Sequence, residues 1–227
     1  MEQDIYTHQN AGAQQLDTSK VLRSTYALLA MTLLFSAITA SISMAVGMPH
    51  GLSLVFSIGA LLLVWFVLPR TANSSMGIVV VFAFTGLLGA SLGPILNHYL
   101  AMANGGMVIT QALGGTALVF FSLSAYVLTT RKDFSFMGGF LMVGIVVAVV
   151  GMVGMLVASM FGIDVSLFHL GFSMLIVLLM SGFILYDTSR IVNGGETNYI
   201  MATTSLYLNI YNLFVSLLHI LGVMNND

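Results

Sequence analysis

Asp187 is the acidic side chain whose position could do chemistry. It closes a long apolar run that ends in Leu185 and Tyr186, and a polar turn with Arg190 and Glu196 follows. An acid at a lipid boundary is costly, so such a group usually faces a polar cavity and marks an ion or proton path. The plainer alternative is an Asp–Arg pair that only marks where a helix leaves the lipid. We favour a site.

Two arginines are candidate partners of Asp187. Arg190 follows three residues later, within side-chain reach on a helix, and Arg70 closes another apolar run. Burial and a nearby arginine act on the protonation of a carboxyl in opposite directions. The sequence therefore leaves the protonation state of Asp187 open.

A polar stripe lies on the last apolar segment. Asn209 and Asn212 share one helical face with Ser205 and Ser216. Amides on an otherwise apolar helix predict a face that points into a helix bundle. Hydrogen bonds between helices and an ion path explain such a face equally well.

The remaining residue types exclude several classes of chemistry. The chain has no cysteine, which removes thiol catalysis and thiolate metal sites, and it contains no HExxH, GxSxG or phosphate-loop motif. Its histidines lack metal-ligand spacing along the chain. We therefore predict no enzyme, no cofactor and no metal. The net charge is −2, and no basic cluster exceeds Arg131 and Lys132, which excludes a nucleic-acid-binding protein.

Composition and charge spacing define the elements that must position these residues. Of 227 residues, 58% are hydrophobic and 6% are charged, whereas soluble domains carry about 25% charged residues. A membrane span needs about 20 residues. The charge-free intervals between Arg23 and Arg70 and between Arg70 and Arg131 hold two spans each, and three later intervals hold one each. The chain is thus predicted to be an all-α integral membrane protein with seven transmembrane helices.

These spans form one predicted domain of residues 21–222. A flexible, polar cytoplasmic tail of residues 1–20 precedes the domain, and a short tail of residues 223–227 follows it. Span two is predicted to run to about Leu68 and to stop at Pro69, span three to run to about Ile95 with Pro94 at its end, and span six to run to about Asp187. Small residues four apart in span three predict close helix packing.

The basic residues predict the orientation. All six lysines and arginines fall in the tail or in the loops after spans two, four and six. The positive-inside rule then puts the N-terminus in the cytoplasm. Seven full crossings put the C-terminus outside, whereas a re-entrant seventh helix would return it to the cytoplasm.

Four stretches of the chain resemble a known family. The C-terminal stretch resembles the signature of the Bax inhibitor-1 family, in which an aspartate ends span six and span seven has the form SLYL-x-x-x-NLF-x-x-LL. The similarity is greatest to a bacterial branch that modulates the membrane-bound AAA protease FtsH. The matching stretches are KVLRSTY, FAFTGLLGASLGPILNHYL, ALGGTALVFFSLSAYVLTTRKDFSFMGG and GGETNYIMATTSLYLNIYNLFVSLLHILG.

The resemblance implies a fold and a function. The implied fold has six helices surrounding a central seventh. The branch implies a multi-pass protein of the bacterial inner (plasma) membrane that binds the FtsH protease complex and restrains its action on membrane substrates. The polar tail fits a segment that such a protease could grasp.

A second activity in the family is the alternative. Some members resemble pH-sensitive calcium leaks that use two aspartates, one on span six and one on span seven, with a basic partner that corresponds to Arg70. Asp187 matches the first aspartate, but the second falls on Asn209, which does not titrate. A small-molecule transporter stays open as a third class, although no internal repeat supports it.

Overall fold

A computed structural model describes the backbone of residues 2–225 and the side chains of residues 18–225. Within this range the chain forms α-helices and no β-strand, which confirms the all-α prediction. The predicted tail of residues 1–20 lies mostly outside the residues whose side chains are described, and it stays a prediction. The helices are α1 (Glu2–Ala45), α2 (His50–Leu62), α3 (Leu68–Thr71), α4 (Ser75–Ser91), α5 (Gly93–Leu100), α6 (Gly105–Thr130), α7 (Gly138–Met160), α8 (Ser166–Val192) and α9 (Tyr199–Met224).

Seven helical segments of the described chain are long and apolar enough to cross a membrane, as predicted. Burial differs strongly among them. About half of the most apolar stretch is buried in spans three and seven, against 11% in span five, so most of the apolar stretch of span five is not covered by the rest of the described chain. The segments are Thr18–Ala45, His50–Thr71, Ser75–Leu100, Gly105–Thr130, Ser135–Met160, Ser166–Val192 and Tyr199–Met224.

The predicted end of span two at Pro69 is wrong, because the helix continues through the proline. Leu63–Val67 forms one turn of π-helix, and the amide of Leu68 donates to the carbonyl of Leu63. Proline lacks an amide proton, and its ring clashes with the carbonyl four residues earlier in a regular helix. The wider π-turn before Pro69 accommodates both effects, and α3 then runs to Thr71.

Span three also continues past its predicted end. The regular helix α4 stops at Ser91, and α5 begins at Gly93, with Pro94 in its first turn. A proline in the first turn replaces an amide that has no partner within the helix, so it costs nothing there. The helix therefore runs on to Leu100.

The chain divides into two compact units. The first comprises Met1–Asn97 and Arg190–Tyr207, and the second comprises His98–Ser189 and Leu208–Asp227. The two ends of α9 thus belong to different units. The central position of span seven, which the family resemblance implies, stays a prediction.

Close contacts between α1 and α4 stabilise the first unit. Gly86 lies against the Phe35 ring, and a Cβ on Gly89 would lie 2.7 Å from the Cα of Ser36. Only the absence of side chains allows this approach, as the small-residue spacing predicts. At the same level, the buried Tyr207 hydroxyl lies 2.6 Å from Ser36 Oγ, and Ser36 Oγ donates to the carbonyl of Thr85 over 2.7 Å.

The second unit uses glycine in the same way where α7 meets α8. A Cβ on Gly144 would meet the side chain of Leu179, and a Cβ on Gly182 would lie 2.8 Å from that of Leu141. Leu141 and Leu179 are buried in this contact. These glycines hold the two helices close together, and α8 carries Asp187.

Candidate functional site

Asp187 and Asn209 form a direct hydrogen bond inside the second unit. The Asn209 side-chain amide, on α9, donates to Oδ2 of Asp187, on α8, over 2.7 Å. Both side chains are buried, with 9% and 7% of their surface exposed. An ionised carboxylate only accepts hydrogen bonds, whereas an amide nitrogen donates them. The two groups are therefore complementary, and a bond to a charged acceptor is stronger than a neutral one.

The surroundings of Asp187 on α8 are polar and buried. The prediction that span six ends at Asp187 is wrong, because α8 continues to Val192. The next two residues, Thr188 and Ser189, are fully buried. The Thr188 hydroxyl has no hydrogen-bond partner among the residues that the structure describes. The sequence pattern predicted that the helix ends at its first charged residue. The helix continues because the hydroxyl side chains of Thr188 and Ser189 are buried and extend the packed face of α8.

Ser189 connects this end of α8 to the loop between α6 and α7. Its Oγ accepts a hydrogen bond from the amide of Phe134 over 2.8 Å and donates to Oδ1 of Asp133 over 3.5 Å. Asp133 lies outside the spans, and hydrogen bonds from the Ser135 hydroxyl and amide hold the pKa of its carboxyl below the usual 3.8. An exposed carboxylate thus stays charged next to the buried hydroxyl groups of α8.

The two arginines make contacts of their own. The Arg190 guanidinium lies 3.5 Å from the carboxylate of Glu196 and donates to the carbonyl of Gly195 over 3.1 Å. Arg70 donates to the carbonyl of Phe66 in its own span. The pairing of either arginine with Asp187 stays a prediction.

The polar stripe on α9 is only partly buried. Ser216 is buried beside the face of Asn209, and Ser205 is half-buried. Asn212 is exposed, and its amide donates to the carbonyl of Leu208 in the same helix over 2.8 Å. The prediction that the whole stripe faces the interior is therefore wrong at Asn212. Three residues turn a helix by about 300°, so Asn212 lies about 60° from Asn209, beyond the edge of the buried face.

Asn198 organises the start of α9, and the sequence analysis missed it. Its side-chain oxygen accepts hydrogen bonds from the amides of Ile200 and Met201, over 2.9 and 3.2 Å, which makes it the N-cap of the helix. Its side-chain nitrogen donates to the carbonyl of Ala72 over 3.0 Å and to Asn73 over 2.8 Å. An asparagine directly before an apolar helical run is the signal that could have identified it.

Comparison with known proteins decides the family. The sequence model of the family described as "Inhibitor of apoptosis-promoting Bax1" matches residues 18–226. The chain belongs to the Bax inhibitor-1 family. The match includes all seven spans of this Bax inhibitor-1 protein and both residues of the Asp187–Asn209 pair.

Bacterial relatives are similar over nearly their whole length. The protein named "Modulator of FtsH protease YccA" in Escherichia coli (strain K12) is 54% identical, over 93% of this chain and 94% of the relative. A protein of Vibrio cholerae named only as an uncharacterized membrane protein is 50% identical over the full length of both chains. A third relative, from Pseudomonas aeruginosa, is 49% identical over the full length of both.

Proposed function

We propose that this protein is a non-enzymatic protein of the bacterial inner membrane that binds the FtsH protease and restrains its action on membrane substrates. The observation that carries the proposal is the 54% identity, over almost the whole chain, to the Escherichia coli relative that is named as a modulator of FtsH protease. The lipid bilayer and the protease complex are then its partners.

The chemistry of the buried pair favours this role over the calcium leak. The leak that the resemblance implies uses two carboxylates that share a proton, so that loss of the proton drives them apart. Here Asp187 instead accepts a hydrogen bond from an amide that cannot titrate. We infer that the pair acts as a fixed polar junction between α8 and α9, and that calcium is not a partner of the unmodified protein.

Four further residues have a role in the proposal, two serines on α9 and two arginines. Ser216 lies on the buried side of α9 next to Asn209, and Ser205 lies at the edge of the same face. Arg70 and Arg190 close spans two and six at the predicted cytoplasmic side, where positive charge accumulates. In this proposal the arginines hold the spans at the membrane surface, and Asp187 and Asn209 hold α8 against α9.

The proposed orientation places the N-terminus in the cytoplasm and the C-terminus outside. The α9 helix has 26 residues, which at about 1.5 Å per residue is longer than the hydrocarbon core of about 30 Å. A reporter that is active only outside the cytoplasm, fused after Asp227, is therefore expected to be active. The matched control is the same reporter fused after Arg131, where it is expected to be silent. Activity of a cytoplasmic reporter at Asp227 would instead mean that α9 does not cross.

Affinity capture tests the partner. Tagged protein at native expression level is purified from detergent-solubilised membranes, and bound proteins are identified by mass spectrometry. We expect FtsH to be enriched relative to capture with an unrelated seven-span protein that carries the same tag. Equal amounts of FtsH in the two samples would contradict the proposed partnership.

A further inference from the structure

Two histidines meet at the end of α8 and α9 that lies far from Asp187. His169 lies in the first turn of α8, eighteen residues before Asp187 or about 27 Å along the helix axis. The ring of His219, on α9, has its centre 6.1 Å from that of His169, and the ring planes are inclined by 59°. The sequence alone does not predict this contact, because fifty residues separate the two histidines along the chain.

Ser173 contacts the ring of His219 and orients it. The Ser173 hydroxyl donates its single proton to the carbonyl of His169 over 3.0 Å. Its oxygen also lies 3.0 Å from Nδ1 of His219, so Nδ1 faces Ser173 and Nε2 is the ring nitrogen left for another ligand. In the neutral tautomer that carries its proton on Nδ1, Nε2 keeps a lone pair.

This arrangement is the one that metal-binding histidines use. A ligating imidazole typically donates its other ring N–H to an oxygen atom, which orients the ring and raises its basicity. Within residues 18–225, neither Nε2 of His219 nor a ring nitrogen of His169 makes a hydrogen bond. Each ring therefore has at least one nitrogen that no hydrogen bond of the described chain occupies.

The rings border an open cavity of about 660 Å³. Asp164 lies on the same cavity, and hydrogen bonds from the Ser166 hydroxyl and amide hold the pKa of its carboxyl below the usual value. The cavity thus has a carboxylate on the same lining as the two imidazole rings. His169 is exposed and His219 is half-buried, so an ion from solution reaches both.

We propose that His169 and His219 bind one divalent transition-metal ion of the zinc type, bridging α8 and α9. A zinc–nitrogen bond of about 2.1 Å places the ion about 3.2 Å from each ring centre, so tetrahedral binding needs ring centres about 5 Å apart. The observed 6.1 Å is slightly wider, and rotation of the exposed His169 side chain closes the difference. Imidazole nitrogen suits zinc, nickel and copper, whereas calcium and magnesium prefer oxygen.

The coordination would be completed by water. No group of three histidine, aspartate or glutamate side chains in the described chain is placed to hold a metal ion. Two protein ligands and open positions predict weak, reversible binding rather than a permanent structural metal. Binding would join α8 to α9 at this end, as the Asp187–Asn209 hydrogen bond joins them at the other.

Calorimetry with zinc on the tag-free, detergent-solubilised full chain tests the proposal. We expect one zinc ion per chain, and a loss of affinity of at least tenfold in His169→Gln and in His219→Gln. Ser173→Ala keeps both ligands but removes the oxygen that orients the His219 ring, and loss of such a partner typically weakens metal binding 10- to 100-fold. Zinc should also raise the melting temperature of the parent, because a ligand that binds only the folded state stabilises it.

His98→Gln is the matched control, because His98 is also exposed but is not part of the pair. We expect its zinc affinity to equal that of the parent. His169→Gln changes an exposed side chain, so its melting temperature without zinc should match the parent and show that the variant is folded. Absence of zinc binding by the parent, unchanged affinity in His169→Gln, or an equal loss in His98→Gln would overturn the proposal.

Discussion

At the scale of single residues, the amide of Asn209 determines what the buried pair can do. A carboxylate at this position would place two acids within hydrogen-bond distance, and two such acids hold one proton between them. The amide instead donates a permanent hydrogen bond of 2.7 Å to Asp187. The pair therefore keeps the same contact across the pH range in which Asp187 is ionised.

Asn209→Asp should create a pH dependence that the parent lacks. At mildly acidic pH the two carboxylates share a proton and stay in contact. As the pH rises the proton is lost, the charges repel, and α8 and α9 separate. We expect the melting temperature of the variant to fall from pH 5 to pH 8, and calcium flux into proteoliposomes to become pH-dependent.

The double variant Asp187→Asn/Asn209→Asp is the matched control. It restores one carboxylate and one amide with their places exchanged, so its melting temperature should again be flat with pH. A parent protein that already shows steep, pH-gated calcium flux would contradict this account, because one carboxylate hydrogen-bonded to an amide supplies no shared proton.

At the scale of elements, the start of α9 depends on the Asn198 side chain, which makes hydrogen bonds in two directions. Asn198 caps the helix through its oxygen and binds the loop after span two through its nitrogen. Asn198→Asp keeps the capping oxygen and removes the donor, whereas Asn198→Ala removes both. We expect the alanine variant to lose about 1–2 kcal/mol from the cap alone and the aspartate variant to lose less.

Melting temperatures in detergent compare the two Asn198 variants with the parent. The order parent, aspartate, alanine, from most to least stable, is expected. Equal melting temperatures for the alanine variant and the parent would show that the cap and the bridge to Ala72 and Asn73 do not stabilise the protein.

Contact between α1 and α4 should depend on Gly89. A Cβ at this position meets the backbone of Ser36 and the hydroxyl of Thr39, which cannot move aside without shifting α1. Gly89→Ala is therefore expected to destabilise the protein by about 1–3 kcal/mol, the usual cost of overpacking.

Gly114→Ala is the control for Gly89→Ala. No atom lies within 4 Å of a Cβ built on Gly114 in α6, and alanine restricts the unfolded chain more than glycine does, which stabilises by about 0.4–1 kcal/mol. Thermal unfolding in detergent should thus shift in opposite directions for the two variants. A destabilised Gly114→Ala together with an unchanged Gly89→Ala would refute the packing argument.

The sequence predicted the number of spans because charge is excluded from lipid, and the charge-free intervals count the helices. The predicted ends of spans two and three were wrong because each proline was taken as a helix breaker. Pro69 follows a π-turn and Pro94 lies in a first helical turn, and in both places the missing amide proton is tolerated.

The candidate site was predictable only in part, for a similar reason. Asp187 and Asn209 are polar residues in apolar surroundings, and that contrast is visible in the sequence. The exposure of Asn212 is not, since it depends on where the edge of the buried face falls around α9. The contact between His169 and His219 depends on how α8 packs against α9. Residue spacing along the chain does not predict that packing.

At the scale of the whole molecule, the surface that the spans present to a partner consists mainly of apolar side chains. Span five has only 11% of its most apolar stretch buried, and within the described chain the charged groups lie mainly at the ends of the spans. Recognition by a membrane-embedded protease would then use helix faces within the lipid together with these charged ends.

The lifetime of a membrane-embedded FtsH substrate tests the central claim most directly. The substrate is followed by pulse-chase labelling in cells that overproduce this protein and in cells that overproduce an unrelated seven-span protein to the same level. The proposed restraint of FtsH predicts a longer substrate lifetime only in the first cells, and no further lengthening when FtsH is absent. An equal substrate lifetime in both cell types would contradict the proposed function.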